Sequence, residues 1–271
     1  MESIEVGGLT IAFERGGAGP PLLLLHGILQ DSRAWRWQLD ALSDEFTVVA
    51  WDAPGCGRSS DPPEAFRLPE YADCLAAFVD ALGLGRPHVL GLSFGAVLAL
   101  ELDRRHPEVP RSLVLASAYA GWAGSLPAEV VEQRLSQALR EADLPPEMFV
   151  PAWIPGLLTN AASPELVADV MAMMSEFNPA GYRAMAQALA DADLRDTLPR
   201  IALPTLLLYG DADRRSPLAL AEDLHRQIPA STLEVIPDVG HLANLEAPER
   251  FTSEVRTFLR QAHASATRVR E

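Results

Sequence analysis

HVLGLSFGAVLAL, residues 88–100, runs an apolar strand-like segment directly into an apolar helix-like one, with Ser93 between Gly91 and Gly95 at the junction. The pentapeptide G-x-S-x-G alone carries little. With Gly and Ser each at ~7% of residues it arises by chance in roughly one chain in ten of this length. Its position carries more. In a strand–turn–helix unit the serine sits on a tight elbow that lifts its hydroxyl above the sheet, and small flanking residues are needed because the strand and helix backbones nearly touch. Gly91 and Gly95 meet that need. The amide of Phe94 then opens the helix, where a free N–H and the helix dipole favour a developing oxyanion. The plain alternative is a glycine-flanked turn serine with no chemistry, so the rest of the chain must decide.

Working outward, apolar runs of strand length recur at 21–27, 46–55, 87–93, 111–118, 204–211 and 231–238. Their continuous hydrophobicity suits strands buried on both faces, as in a parallel sheet covered by helices. SIEVGGLTIAFERGG, residues 3–17, reads as a hairpin turning at Gly7-Gly8 and predicts an antiparallel edge. Helical patterns at 32–45, 68–83, after Ser93, at 216–228 and at 247–262 complete an α/β architecture, a mostly parallel central sheet flanked by helices. Between Ala118 and Thr205 the rhythm breaks into helical patterns at 128–142, 163–177 and 178–192, with no convincing strand. The chain thus divides into a core of residues 1–118 and 188–271 and an inserted helical lid of residues 119–187. From His263 the tail loses periodicity and is expected to fray.

Composition removes several classes of function. Of 271 residues, 48% are hydrophobic and 22% charged, which suits a globular chain of one or two domains. All 22 basic residues are arginine, so Schiff-base catalysis and a lysine-dependent phosphate loop are excluded. A formal net charge of -15 leaves no basic stripe for nucleic acid or an anionic membrane surface. The opening MESIEVGG lacks the features of a signal peptide, and the aliphatic run at 22–25 is far too short to span a bilayer, so a cytoplasmic protein is expected. Cys56 and Cys74 have neither CxxC spacing nor neighbouring histidines and read as structural, and the expectation is that no metal and no cofactor is needed.

A serine hydroxyl is a poor nucleophile without a base, which directs attention to the six histidines. His88 begins a strand, His106 ends a helix before Pro107, His225 lies within a helical pattern and His263 is in the tail; all four read as structural. His26, at a strand end, is better placed to shape a loop than to abstract a proton. His241, in PDVGHLANLEAPERF, lies in the loop after the last strand, at the carboxyl edge where open α/β sheets bind ligands. It is the candidate base. A base of this kind needs a carboxylate to fix its tautomer, and LLLYGDADRRSP supplies Asp211 and Asp213 at another strand's carboxyl end.

With HGI at 26–28, DAPGCGRS at 52–59, GLSFG at 91–95, GDADRRSP at 210–217 and GHLANLEAPERF at 240–251, the chain resembles a single-domain α/β-hydrolase-fold serine hydrolase over essentially its whole length outside the lid. The order Ser, Asp, His is the order of that family. The resemblance implies Ser93 as nucleophile, His241 as base and Asp213 as the acid, since Asp213 completes the G-x-x-D spacing while Asp211, directly after Gly210, reads as a loop cap. It further implies that the Ile28 amide joins that of Phe94 in the oxyanion hole and that residues 52–59 form a structural loop. Serine at 93, where epoxide hydrolases and haloalkane dehalogenases carry aspartate, argues against those activities.

Among the apolar residues of the lid and its surroundings, Trp122, Phe149, Trp153, Met174 and Leu242 suggest an adaptable pocket for an apolar acyl or aromatic group. Arg134, Arg140 and Arg183 sit among acidic neighbours and read as solvated helix faces. The expectation is a cofactor-independent hydrolase of a small-molecule apolar ester or lactone. Its rivals are a hydrolase of carbon–carbon bonds in β-diketones, a cofactor-free perhydrolase or haloperoxidase, and a slow-turnover ligand receptor.

Overall fold

A computed structural model describes the backbone of residues 1–268 and the side chains of residues 1–264. The strands are β1 (Glu2–Val6), β2 (Leu9–Gly16), β3 (Pro21–Leu25), β4 (Thr47–Trp51), β5 (His88–Leu92), β6 (Ser112–Ala116), β7 (Thr205–Gly210) and β8 (Ser231–Ile236). They form one sheet ordered β1-β2-β4-β3-β5-β6-β7-β8. β1 and β2 are the expected hairpin, with Val6 opposite Leu9 across the Gly7-Gly8 turn, and β2 runs antiparallel to β4. Every other pairing is parallel. The core is therefore a mostly parallel sheet with an antiparallel edge.

Alternation along the strands explains why both faces are covered. Leu23, Leu25, Val89, Leu113, Leu115 and Leu207 fall in one apolar cluster, together with residues of α2 (Leu68–Ala81), α3 (Phe94–Arg105) and α8 (Leu218–Gln227). Leu22, Leu24, Leu90, Leu92, Val114 and Leu206 fall in the other, with Leu42 of α1 (Arg36–Leu42) and Phe251, Val255 and Leu259 of α10 (Pro248–Arg268). Successive residues point to opposite faces, so a strand that is apolar at every position must be sandwiched. β8 departs from this reading. Its burial alternates along Ser231–Ile236, because an outermost strand needs apolar residues on one face only.

Between β6 and β7 the chain forms α4 (Ala128–Glu141), α5 (Val150–Leu157), α6 (Pro164–Ser175) and α7 (Pro179–Asp191). A short α9 (Ala243–Glu246) precedes α10. The tail differs from expectation: α10 continues through His263 to Arg268, because Phe251, Val255, Leu259 and Ala262 bury a regular stripe that carries the helix past the point where the sequence looks unpatterned. Residues 269–271, also part of the expected frayed tail, lie outside the described residues. Among the described residues no helix is long and apolar enough to cross a membrane.

Candidate active site

Ser93 stands between β5 and α3 with φ 54° and ψ -110°, a left-handed conformation that a non-glycine residue adopts only when its surroundings enforce it. The enforcement comes from the two glycines. A β-carbon on Gly91 would collide with the Gly95 carbonyl, and one on Gly95 would collide with the carbonyl of Leu25 at the end of β3. Strand and helix therefore meet backbone to backbone. The Ser93 amide is held by the Ala116 carbonyl at 2.9 Å, and Phe94 begins α3, so its N–H has no carbonyl a turn earlier to bond.

Two other loops are fastened together beside it. A β-carbon on Gly210 would strike the Val239 carbonyl, and the amides of Asp211 and Ala212 bond the carbonyls of Ile236 and Val239 at 3.1 and 3.0 Å. These ties bring the loop after β7 against the loop after β8. His241 Nδ1 consequently lies 2.8 Å from Asp213 Oδ2, with both side chains buried. Asp213 Oδ1 accepts the amides of Arg215 and Ser216, each at 2.8 Å. Burial pushes the Asp213 carboxyl upward, but the His241 charge and hydrogen bond and the two amides outweigh it and hold the group below its ordinary range. Asp211 does something different: it is exposed and its Oδ1 caps the Asp238 amide at 2.7 Å.

Ser117, just beyond β6, links these pieces and was not singled out by the sequence. Its Oγ donates to the His241 carbonyl at 3.0 Å, while the preceding residue, Ala116, holds the Ser93 amide. Neighbouring residues at one strand end thus fasten both the serine elbow and the histidine loop. Glu246 is a second unforeseen tie, accepting the Gly240 amide at 2.6 Å and the Thr159 amide at 2.8 Å, so that it joins the histidine loop to the segment after α5. Neither tie to a second segment has a local signal, because His241 is remote in sequence from Ser117 and Thr159 from Glu246.

On the other side of Ser93, Ile28 lies in the turn after β3, with Leu29 at φ 61°. Gln30 Oε1 accepts the Gly27 amide at 2.9 Å and braces this turn. His26 shapes the adjoining loop, its Nε2 accepting the Ala53 amide at 3.0 Å. Asp52 in turn accepts the amides of Ser32 at 2.8 Å and Arg58 at 2.9 Å. The residue 52–59 segment is thus a hydrogen-bonded scaffold beneath the turn.

Phe149, Trp153, Met174 and Leu242 share one apolar cluster, and all are buried. Trp122 belongs to the opposite one. The Leu242 amide donates to the Leu157 carbonyl at 3.1 Å, so the end of α5 rests directly on the residue after His241. Arg134 is not the solvated side chain its helix pattern suggests. It is half-buried, its guanidinium lying over the rings of Tyr119 and Trp122. Arg183, by contrast, pairs with the exposed Asp143, and Arg140 is exposed. Among the described residues there is no group of three or more His, Cys, Asp or Glu arranged to hold a metal ion.

Residues 20–248 match the family described as the alpha/beta hydrolase fold. The chain belongs to this family. Among curated relatives, it is 27% identical over 245 residues to 3-oxoadipate enol-lactonase 2 of Acinetobacter baylyi, covering 89% of each chain. It is also 27% identical over 248 residues to a pimeloyl-[acyl-carrier protein] methyl ester esterase of Vibrio vulnificus, covering 89% of this chain and 95% of that one. The solved structure of a thermophilic esterase from Thermogutta terrifontis, described as malate bound, superimposes with a TM-score of 0.91 at 33% identity, over 97% of this chain and 100% of that one.

Proposed function

We propose that this α/β hydrolase cleaves carboxylic esters or lactones bearing an apolar acyl or aromatic group, with Ser93 as nucleophile, His241 as general base and Asp213 as its orienting acid. The observation that carries the reading is the 2.8 Å contact between His241 Nδ1 and Asp213 Oδ2, on the same sheet edge as a serine held at positive φ. Donation from Nδ1 to the carboxylate leaves Nε2 unprotonated, as a base requires. Ser93 Oγ transfers its proton to Nε2 as it bonds to the ester carbonyl carbon, and the carbonyl oxygen becomes an oxyanion facing the amides of Phe94 and Ile28. The imidazolium returns the proton to the departing alcohol, leaving an acyl-serine. Water then attacks this ester by the same route, releasing the acid and restoring the serine. In a lactone the departing alcohol stays tethered to the acyl group.

Residues 119–187 act in this reading as a lid, with Phe149, Trp153, Met174, Trp122 and Leu242 enclosing the apolar part of the substrate in a cytoplasmic enzyme. The relatives named above, a lactonase and two esterases, support the reaction class. Turnover of p-nitrophenyl butyrate on the order of 1 per second or faster is expected, together with labelling by a fluorophosphonate. Ser93→Ala should abolish both. Labelling that persists undiminished in that variant overturns the assignment of the nucleophile, and a single slow turnover in the unaltered chain points to a receptor instead.

A further inference from the structure

The seam between the inserted helices and the Asp213 loop contains two arginines without counter-ions. Arg215 lies two residues beyond Asp213 and is half-buried. Its Cγ stands within 3.6 Å of where a β-carbon on Gly156 would be, and its guanidinium carbon lies 4.0 Å from the centroid of the Trp153 ring on α5. Arg134 of α4 donates to the Arg215 carbonyl and to the Tyr119 hydroxyl, each at 3.3 Å. Among the described residues neither guanidinium forms an ion pair, a state they share with exposed arginines such as Arg140, Arg200 and Arg214 but hold at half-buried positions. The Arg215 guanidinium also donates no hydrogen bond to any described residue, although its backbone groups are occupied.

This is not a shortage of acids. The chain has 37 acidic residues against 22 basic ones. Glu141 is buried in the same seam, yet its carboxylate is engaged by Trp153 Nε1 at 3.1 Å, the Tyr182 hydroxyl at 2.7 Å and Gln137 Nε2 at 2.7 Å. Asp213 is committed to His241. Within this seam the two guanidiniums therefore have no carboxylate partner among the described residues. A partly desolvated guanidinium with an empty donor fork is stabilised by a planar carboxylate that accepts two of its N–H groups.

The position relative to the reacting groups fits a substrate contact. Trp153, which stacks on Arg215, is one helical turn from Leu157, and Leu157 accepts the amide of the residue following His241. Arg215 also follows Asp213 by two residues, its amide held by the Asp213 carboxylate at 2.8 Å, so the guanidinium belongs to the loop that carries the proposed acid and packs on the helix that touches the loop of the proposed base.

We infer that Arg215, backed by Arg134, forms a carboxylate-recognition subsite, so that the preferred ester or lactone carries an anionic group at the end remote from its scissile carbonyl, with the apolar stem between them. The inference rests on the hydrolase reading above and adds the substrate's charge to it. The competing role is purely structural: the arginine fastens α5 to the core by stacking on Trp153 and binds nothing.

A matched pair of five-carbon esters separates the two. The ratio of kcat/KM for mono-p-nitrophenyl glutarate to that for p-nitrophenyl pentanoate compares a carboxylate with a methyl at the same distance from the reacting carbonyl. Arg215→Gln should lower this ratio by roughly 10- to 100-fold, the scale of a charged hydrogen-bonded contact. Arg215→Lys should retain an intermediate ratio. A ratio unchanged in Arg215→Gln, with both esters falling together, overturns the subsite. A second measurement is independent of turnover: glutarate should raise the melting temperature of Ser93→Ala but not of Ser93→Ala combined with Arg215→Gln, and equal shifts in both also overturn it. Absence of ester turnover and fluorophosphonate labelling in the unaltered chain would instead sink the hydrolase reading, while the glutarate shift still judges Arg215.

Discussion

Gly95 lies against the carbonyl of Leu25 so closely that no β-carbon fits between them. The contact joins the first turn of α3 to the end of β3, and the obstructing atom is backbone, which cannot rotate away. Gly95→Ala should destabilise the fold by about 1–3 kcal/mol through overpacking, seen as a lower thermal midpoint, with a matching loss of ester turnover as the Ser93 elbow shifts. Gly156→Ala is the control. Its β-carbon would meet nothing nearer than Arg215 Cγ at 3.6 Å, and alanine favours the interior of α5, so stability should hold or rise. Equal losses at the two sites would show that the close approach at Gly95 is not what makes glycine necessary there.

His88 gives the fold a dependence on acid. It is fully buried at the start of β5, with Nδ1 2.7 Å from Ser112 Oγ. Burial, assisted by the positive charge of Arg111 and by His263, pulls its pKa down from 6.5 to about 4. The unfolded chain therefore takes up this proton at a higher pH than the folded one. The contribution of the neutral ring is fully present above 6.5 and is lost as pH falls toward 4. Urea unfolding at pH 7 and pH 4.5 should show His88→Gln losing about 2–3 kcal/mol less than the unaltered chain across that interval. Asp213, whose depressed carboxyl also favours folding more at neutral pH, is common to both proteins and cancels. Parallel losses in the two would mean that His88 titrates normally inside the fold.

The strands were legible because their residues are apolar at consecutive positions, as in Leu22–Leu25 and Val89–Leu92, and only a strand covered on both faces uses such a run. β8 looked equivalent and is not, since a strand's place at the sheet edge is decided by its neighbours. The proposed nucleophile, base and acid could be named because each follows a recognisable strand, and parallel strands put their following loops on one edge. What the sequence hid are contacts between distant segments: Ser117 with His241, Glu246 with Thr159, Glu141 with Trp153 and Tyr182. Glu141 and Arg134 lie on an amphipathic helix whose charges resemble any solvated face. Only the docking of α4 beside Tyr119 and Trp153 removes them from solvent.

The two aspartates of the β7 loop make opposite uses of their carboxylates, and this sets the last expectation. Asp213 is buried, receives two amides on Oδ1 and meets His241 with Oδ2. Asn at this position can keep the amide contacts through its carbonyl but would direct an NH₂ group at Nδ1, favouring the tautomer with its proton on Nε2 and removing the base. Asp213→Asn should therefore lower kcat by something approaching ~10⁴, the scale found when a serine hydrolase histidine loses its orienting carboxylate. Asp211 is exposed and accepts the Asp238 amide at 2.7 Å, a bond that an asparagine carbonyl can replace. Asp211→Asn should stay within a few-fold of the unaltered chain, because a surface cap is worth about 1 kcal/mol or less. Both variants are measured on one ester, with circular dichroism reporting that each is folded. A crippled Asp211→Asn beside an active Asp213→Asn would move the orienting acid by two residues; full activity in both would remove the acid from the mechanism altogether.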